Sequence, residues 1–200
     1  MDQIAHIVFI NLDRRKDRRE EIESELKRLG LQAERFAAIE RRPGALGCGL
    51  SHLAVLQRAK QEGWPNVLIL EDDFMFLVDR PTLDETLRSF FDIAIPYDVV
   101  MLSYGLRRSS PYNQVVCKTL DAQTTSGYLV HSRFYDSLIE AWSHATAALA
   151  SSGNTHTHAI DMAWKVLQPT AAWFCFNRRL GKQRPGFSDI EGAHVDYGGC

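Results

Sequence analysis

No two cysteines of this 200-residue chain stand at C-x-x-C spacing; Cys48, Cys117, Cys175 and Cys200 are scattered along it. That scatter argues against a structural zinc knuckle and offers no recognisable disulfide framework, so buried or free thiols in a reducing compartment are expected. No apolar run approaches the roughly 20 residues needed to cross a bilayer, and no basic-then-apolar leader follows Met1. The expectation is a soluble, cytoplasmic protein without an integral membrane segment, peripheral membrane contact being left open. Charge of neither sign dominates, since 23 Lys and Arg against 25 Asp and Glu give a formal net charge of −2. Nucleic acid is therefore not an expected partner, and any anion site has to be local. Internal repeats and low-complexity segments are missing too.

What remains is an ordinary globular composition, 45% hydrophobic and 24% charged. A chain of this length buries on the order of 70% of its unfolded surface, enough for one sizeable domain or two small ones without a metal or disulfides for stability. Hydrophobic periodicity predicts strands over residues 4–10, 32–37 and 67–70, and helices over 16–29 and 50–62, the second preceded by a glycine-rich stretch at 44–49. Further on, a helix is expected over 82–91, strands over 98–103, 115–119 and 125–130, and a helix over 132–150. A polar loop is expected over 151–157, helical spacing continues through Ile160, Trp164 and Leu167, and a last strand is expected over 172–176. Strands alternating with helices imply a mostly parallel α/β sheet, whose ligands sit beyond the carboxyl ends of the strands.

One run stands out against that frame: Val67-Leu68-Ile69-Leu70-Glu71-Asp72-Asp73 delivers three consecutive carboxylates at the end of a strand. Hard cations such as Mg²⁺ and Mn²⁺ favour carboxylate, water and phosphate oxygens, so the run suggests a metal-nucleotide site, with an acidic turn after a core strand as the plain alternative. A basic cluster, Arg14, Arg15, Lys16, Arg18 and Arg19, opens the first helix, where cations oppose the helix dipole unless an anion is near. Either it is a solvated face, or Arg14 or Arg18 meets a phosphate or base. The stretch Gly44-Ala45-Leu46-Gly47-Cys48-Gly49 matches neither the dinucleotide nor the P-loop spacing. Taken alone, Ser51 and His52 just beyond it are more ordinarily a helix cap and a packed histidine than ligands.

Taken together, Ile10-Asn11-Leu12-Asp13-Arg14-Arg15 with Asp17-Arg18, Gly47-Cys48-Gly49-Leu50-Ser51-His52-Leu53 and Leu68-Ile69-Leu70-Glu71-Asp72-Asp73 resemble, in order and spacing, glycosyltransferase family 25. That family includes lipopolysaccharide sugar transferases and collagen galactosyltransferases. The likeness continues in Thr125-Ser126-Gly127-Tyr128-Leu129-Val130 and Ile160-Asp161-Met162, covering residues 4–170 or so. The resemblance implies a GT-A-like single domain with a Rossmann-like sheet, its nucleotide-binding half over residues 1–105 and its acceptor-side half over 106–200. It further implies a UDP-sugar donor, Mn²⁺ or Mg²⁺, and inverting transfer of a hexose, galactose or glucose, to a hydroxyl acceptor on a glycan, lipopolysaccharide or hydroxylysine-type group. The absence of a leader and of a further domain points to a bacterial or viral type.

Carried over by position, the resemblance places Asp73 on the metal and Asp72 on the metal or ribose, with Glu71 supporting the turn. Asn11, Leu12, Arg14 and Arg18 line the nucleotide end, Ser51 and His52 stand near base or ribose, and Gly127 and Tyr128 border the sugar. Asp161 is the expected general base, its plain alternative being an acid that favours a helix N-terminus. Residues 183–191 are read as a lid that brings Gln183 and Ser188 to the donor, with His194 a weaker metal candidate. The alternatives are a nucleotide-sugar binding module without turnover and a metal-dependent phosphoesterase or nucleotidyltransferase.

Overall fold

Apolar strands alternating with amphipathic helices build the first half of the computed structural model, which describes residues 3–198; Cys200 lies outside the described residues. In chain order the elements begin with β1 (His6–Asn11), α1 (Lys16–Arg28), β2 (Glu34–Ala37), α2 (Gly44–Gln61), β3 (Asn66–Glu71), β4 (Phe74–Phe76) and α3 (Arg80–Asp92). Next come β5 (Val99–Met101), β6 (Gly105–Pro111), β7 (Val116–Gln123), β8 (Gly127–His131) and α4 (Tyr135–Ser152). The chain closes with α5 (Thr155–His158), α6 (Ile160–Ala163), β9 (Trp173–Phe176), β10 (Gly181–Gln183), β11 (Gly186–Ser188) and β12 (Ala193–Val195).

The main sheet runs β2-β1-β3-β8-β5-β9-β7-β6. Its pairings set β2, β1, β3, β5, β9 and β6 in one direction and only β8 and β7 in the other, so the sheet is mostly parallel as the sequence pattern implies. Strand periodicity divides the core into two layers: Val67 and Ile69 of β3 pack with Leu56 of α2 and Trp142 of α4, while Leu68 and Leu70 pack with Ile22 of α1 and Leu87 of α3. Side chains alternate across a strand, so a strand buried on both faces reads as an unbroken apolar run. The same alternation decides where the acids go, because Glu71 continues the Val67-Ile69 face and Asp72 the other.

Three elements differ from the sequence expectation. The glycine-rich stretch is not a loop before a helix but the first turns of α2, which starts at Gly44. Its glycines serve close packing: a Cβ on Gly47 would lie 2.5 Å from the Ile39 carbonyl oxygen, and one on Gly49 would lie 2.9 Å from Ile160 Cγ2 and from Thr146 Cγ2. The polar loop expected over 151–157 is short, because α4 continues to Ser152 and is closed by Gly153 at φ 67° before α5 begins. Strand β6, Gly-Leu-Arg-Arg-Ser-Ser-Pro, carries no apolar alternation because it is the outer strand of the sheet, where arginines and a proline are suitable edge residues.

Strand β4 pairs with β10 and pins the turn that carries the acids. The Phe74 ring is pressed between two glycine backbones: a Cβ on Gly127 would stand 2.3 Å from it and a Cβ on Gly181 2.0 Å. Gly181→Ala is therefore expected to cost about 1–3 kcal/mol by overpacking. Urea unfolding checks this, and a Gly181→Ala protein as stable as wild type would rule out the clamp.

Candidate active site

The parallel register of β1 and β3 sets Ile10 opposite Glu71, bringing Asn11 level with Asp72 where both strands end. The Asn11 amide donates to Asp72 Oδ2 at 2.7 Å and to the Arg15 carbonyl at 3.0 Å, tying the strand end to the start of α1. From the first turn of α1, Arg18 Nη1 reaches Asp72 Oδ1 at 3.0 Å and Asp73 Oδ2 at 3.2 Å. The basic cluster is thus not a solvated face at Arg18, whose guanidinium bridges the acid pair.

The three carboxylates have different surroundings. Asp72 is fully engaged by Asn11 and Arg18, while its burial raises its proton affinity. Asp73 is buried, and among the described residues its Oδ2 has, besides Arg18, only a long contact with Gln183 Nε2 at 3.5 Å, while Oδ1 has no hydrogen-bond partner. Burial first, and repulsion from Glu71 second, push Asp73 up to about 7. Glu71 points away, toward α2, where its Oε1 accepts from Thr125 Oγ1 at 2.6 Å and stands 3.3 Å from His52 Nε2. Despite its burial, the contacts with His52 and Thr125 hold Glu71 below the ordinary carboxylate range.

Asp73 fits a hard divalent cation: a buried carboxylate with one orphaned oxygen and raised proton affinity lacks the positive charge that such an ion supplies. Asp72, its oxygens taken by Asn11 and Arg18, fits the role of orienting Arg18 and the strand end better than that of a direct ligand. Mn²⁺ or Mg²⁺ is thus compatible with the residues present, with Asp73 the ligand.

Above the acids opens a cleft of about 770 Å³, lined by Leu12, Arg14, Arg18, Ser51, His52, Asp72, Asp73, Gln183 and Ser188 among others. A second cavity of about 720 Å³ shares Arg18, Asp73 and Phe187 with it and adds Arg184 and His194. Between the two passes the segment around β11. Arg15 and Arg18 both donate to the Phe187 carbonyl, and Asp189 binds Arg14 at 2.9 Å and Arg15 at 2.5 Å. Residues 187–189 are thus tied to the basic cluster at the head of α1, beside the acids.

Other expected residues are placed differently. Ser51 is wholly buried, its Oγ donating to the Gly47 carbonyl at 2.7 Å and accepting from the Ile39 amide at 2.8 Å, so it braces α2 against the segment after β2. Gly127 is covered by Phe74, and Tyr128 lies in the core beside Trp142 and Trp164 with its hydroxyl 2.7 Å from His52 Nδ1; neither lines the cleft. His194 packs its ring against Phe187. Asp161 lies at the head of α6, outside the lining of either cavity; burial raises its proton affinity, with the Thr124 backbone opposing and the charge of Glu71 adding to the rise. Thr124 in turn donates to Gln183 Oε1 at 2.9 Å, linking Asp161 to the Asp73 surroundings.

Sequence reasoning missed Cys48, which meets His52 and Glu71 in a group whose ligand-type atoms all lie within 4.8 Å of one another. The signal was available in the four-residue spacing of Cys48 and His52, which face one way once the helix is extended back to Gly44. It also missed Asp189 as a partner of the basic cluster, because it is one of three acids in a tail that carries four bases and nothing in the sequence marks it out.

No protein-family model matches the chain. A curated relative described as a glycosyltransferase 25 family member, from Drosophila pseudoobscura pseudoobscura, is 32% identical over 101 aligned residues, covering 36% of this chain and 16% of the relative. A protein of the same description from Anopheles gambiae is 31% identical, covering 36% of this chain and 17% of the relative. The chain therefore spans about a sixth of the length of the curated relatives it matches. Among solved structures, a glycosyltransferase involved in the glycosylation of the major capsid of PBCV-1 superposes with a TM-score of 0.56 at 12% identity, covering 94% of this chain and 96% of that one. The mannose-1-phosphate geranyltransferase of Thermus thermophilus superposes with a TM-score of 0.55 at 13% identity, covering 91% and 74%. These likenesses show a GT-A-like α/β fold.

Proposed function

We propose, from this relationship to glycosyltransferase 25 family members and the fold shared with a capsid glycosyltransferase, that the chain is a metal-dependent, inverting hexosyltransferase. In this reading it acts as one domain in the cytoplasm and takes a UDP-sugar and a hydroxyl acceptor. The observation that carries the proposal is the buried Asp73 with an unpartnered oxygen at a strand end, opening onto a cleft of about 770 Å³. That volume suits a small-molecule ligand the size of a nucleotide sugar.

Asp73 would hold Mn²⁺ or Mg²⁺, and the bound cation supplies Lewis-acid stabilisation of charge developing on the departing diphosphate. Asn11 and Asp72 fix Arg18, which adds a positive charge beside the same site and is forked to bind phosphate oxygens. Arg14 and Arg15 become available to the diphosphate when the Asp189 segment yields. Leu12 lies in the cleft at the nucleotide end. In-line inversion needs a base for the acceptor hydroxyl, and Asp161, beside the cleft at the head of α6 and joined to the Asp73 surroundings through Thr124 and Gln183, is the proposed base for an acceptor that enters from that side.

Incubation of the purified protein with a panel of nucleotide sugars and Mn²⁺ tests the reading. Donor hydrolysis or sugar transfer from a UDP-sugar is expected, whereas release of pyrophosphate would mean nucleotidyl transfer instead. Asp161→Asn is expected to lower kcat by about 10²–10⁴ with little change in donor KM, the range that positioned proton transfer contributes. An unchanged kcat for transfer would remove Asp161 from the reaction.

A further inference from the structure

Beneath the acids, α2 and the end of β3 bring together three side chains with no part in the reaction described above. His52 is wholly buried, and among the described residues its Nε2 has no hydrogen-bond partner although it faces Glu71 Oε1 at 3.3 Å. Cys48, one helical turn before His52, completes a group of sulfur, nitrogen and oxygen atoms within 4.8 Å of one another. We propose that Cys48, His52 and Glu71 form a second cation site, taking a borderline divalent ion of the Zn²⁺ class.

The donor set selects this class. Thiolate and imidazole suit Zn²⁺, whereas the oxygens around Asp73 suit Mn²⁺ or Mg²⁺. The 3.3 Å between His52 Nε2 and Glu71 Oε1 is close to the separation of two ligands on one tetrahedral ion with bonds of about 2.0–2.2 Å. In the tautomer that carries its proton on Nδ1, His52 donates to the Tyr128 hydroxyl 2.7 Å away and keeps the Nε2 lone pair for the ion. Thr125 Oγ1 donates to Glu71 and fixes the carboxylate.

Charge closes as well: on binding, Cys48 releases its thiol proton to solvent, so the thiolate and the Glu71 carboxylate neutralise the two positive charges in a buried place. All three residues also line the cleft, so the fourth coordination position opens toward it.

Co²⁺ serves as the spectroscopic probe, because thiolate ligation gives it a charge-transfer absorption. Titration of the metal-free wild type is expected to show this band saturating at about one equivalent and removed by competing Zn²⁺. The band should be lost in Cys48→Ser and retained in Asp73→Asn, which separates this site from the proposed catalytic cation and makes the outcome independent of sugar transfer. Circular dichroism establishes that Cys48→Ser is folded, and the wild-type titration decides even if it is not. A wild type without the band, leaving His52 and Glu71 as a hydrogen-bonded pair and nothing more, overturns the proposal; so does a band that persists in Cys48→Ser.

Discussion

Asp73→Asn is expected to reduce sugar transfer by about 10³-fold or more, the equivalent of the several kcal/mol that a Lewis-acidic cation contributes to such a departure. The variant should remain folded. In the wild type, burial and Glu71 raise the Asp73 carboxyl to about 7, so the folded state holds a proton that the unfolded chain gives up near pH 4. Stability from this group is therefore lost, not gained, as pH rises from about 4 through 7. A neutral amide of the same shape escapes that loss, and Asp73→Asn should be at least as stable as wild type at pH 8. Turnover within tenfold of wild type would sink the metal assignment.

The same raised affinity gives a pH signature. Mn²⁺ has to displace the Asp73 proton, so its affinity should rise about tenfold per pH unit up to roughly 7 and level off above, measurable by calorimetry across that range. A flat profile would mean that the cation is not taken by Asp73.

Arg18→Ala is expected to have the largest effect on stability. The Arg18 guanidinium, 3.0 Å from Asp72 and 3.2 Å from Asp73, is the cation between two buried acids. Removing one partner of a buried ion pair costs about 3–5 kcal/mol because the remaining charge is left uncompensated. Here Asp73 can protonate, so the loss should be greatest at pH 8 and shrink below about 7. Saturating Mn²⁺ should restore part of it, since a ligand that binds only the folded state adds its binding free energy to stability. Urea unfolding at pH 6 and 8, with and without Mn²⁺, measures all three. An Arg18→Ala protein as stable as wild type at pH 8 would show that the pair carries no such energy.

Much of the frame was legible in the residues. Strands β1, β3, β5 and β9 and helices α1, α3 and α4 announce themselves because each is buried on a periodic face, and burial leaves a periodic record. The edge hairpin β6–β7 was only half legible: β6 faces solvent and has no apolar period, while β7 keeps Val116 and Ala122 inward. Short strands β4, β10, β11 and β12 escaped because three residues are too few for a period to register.

At the candidate site, Asp73 and Arg18 were legible as to chemistry but not as to pairing. Three adjacent acids at a strand end and a run of bases at a helix start are plain in the sequence, whereas the contact between them is a consequence of the β1–β3 register. That Gly127 and Tyr128 lie off the cleft was hidden for a related reason. A motif marks residues that belong together without saying whether they face a cleft or the core beneath it, and the Phe74 ring occupies the space over Gly127.

By itself, then, the sequence determined the α/β alternation, the strand that delivers Glu71, Asp72 and Asp73, and the local rather than global nature of any anion site. All of these follow from period, composition and adjacency along the chain. Tertiary structure alone decided that the acids part company: Asp72 and Asp73 meet Arg18, while Glu71 turns to Cys48 and His52. The physical reason is that β3 ends at Glu71, whose side chain continues the Val67-Ile69 face against α2, whereas Asp72 and Asp73 stand in the turn before β4, released from the strand period, and both meet Arg18 of α1.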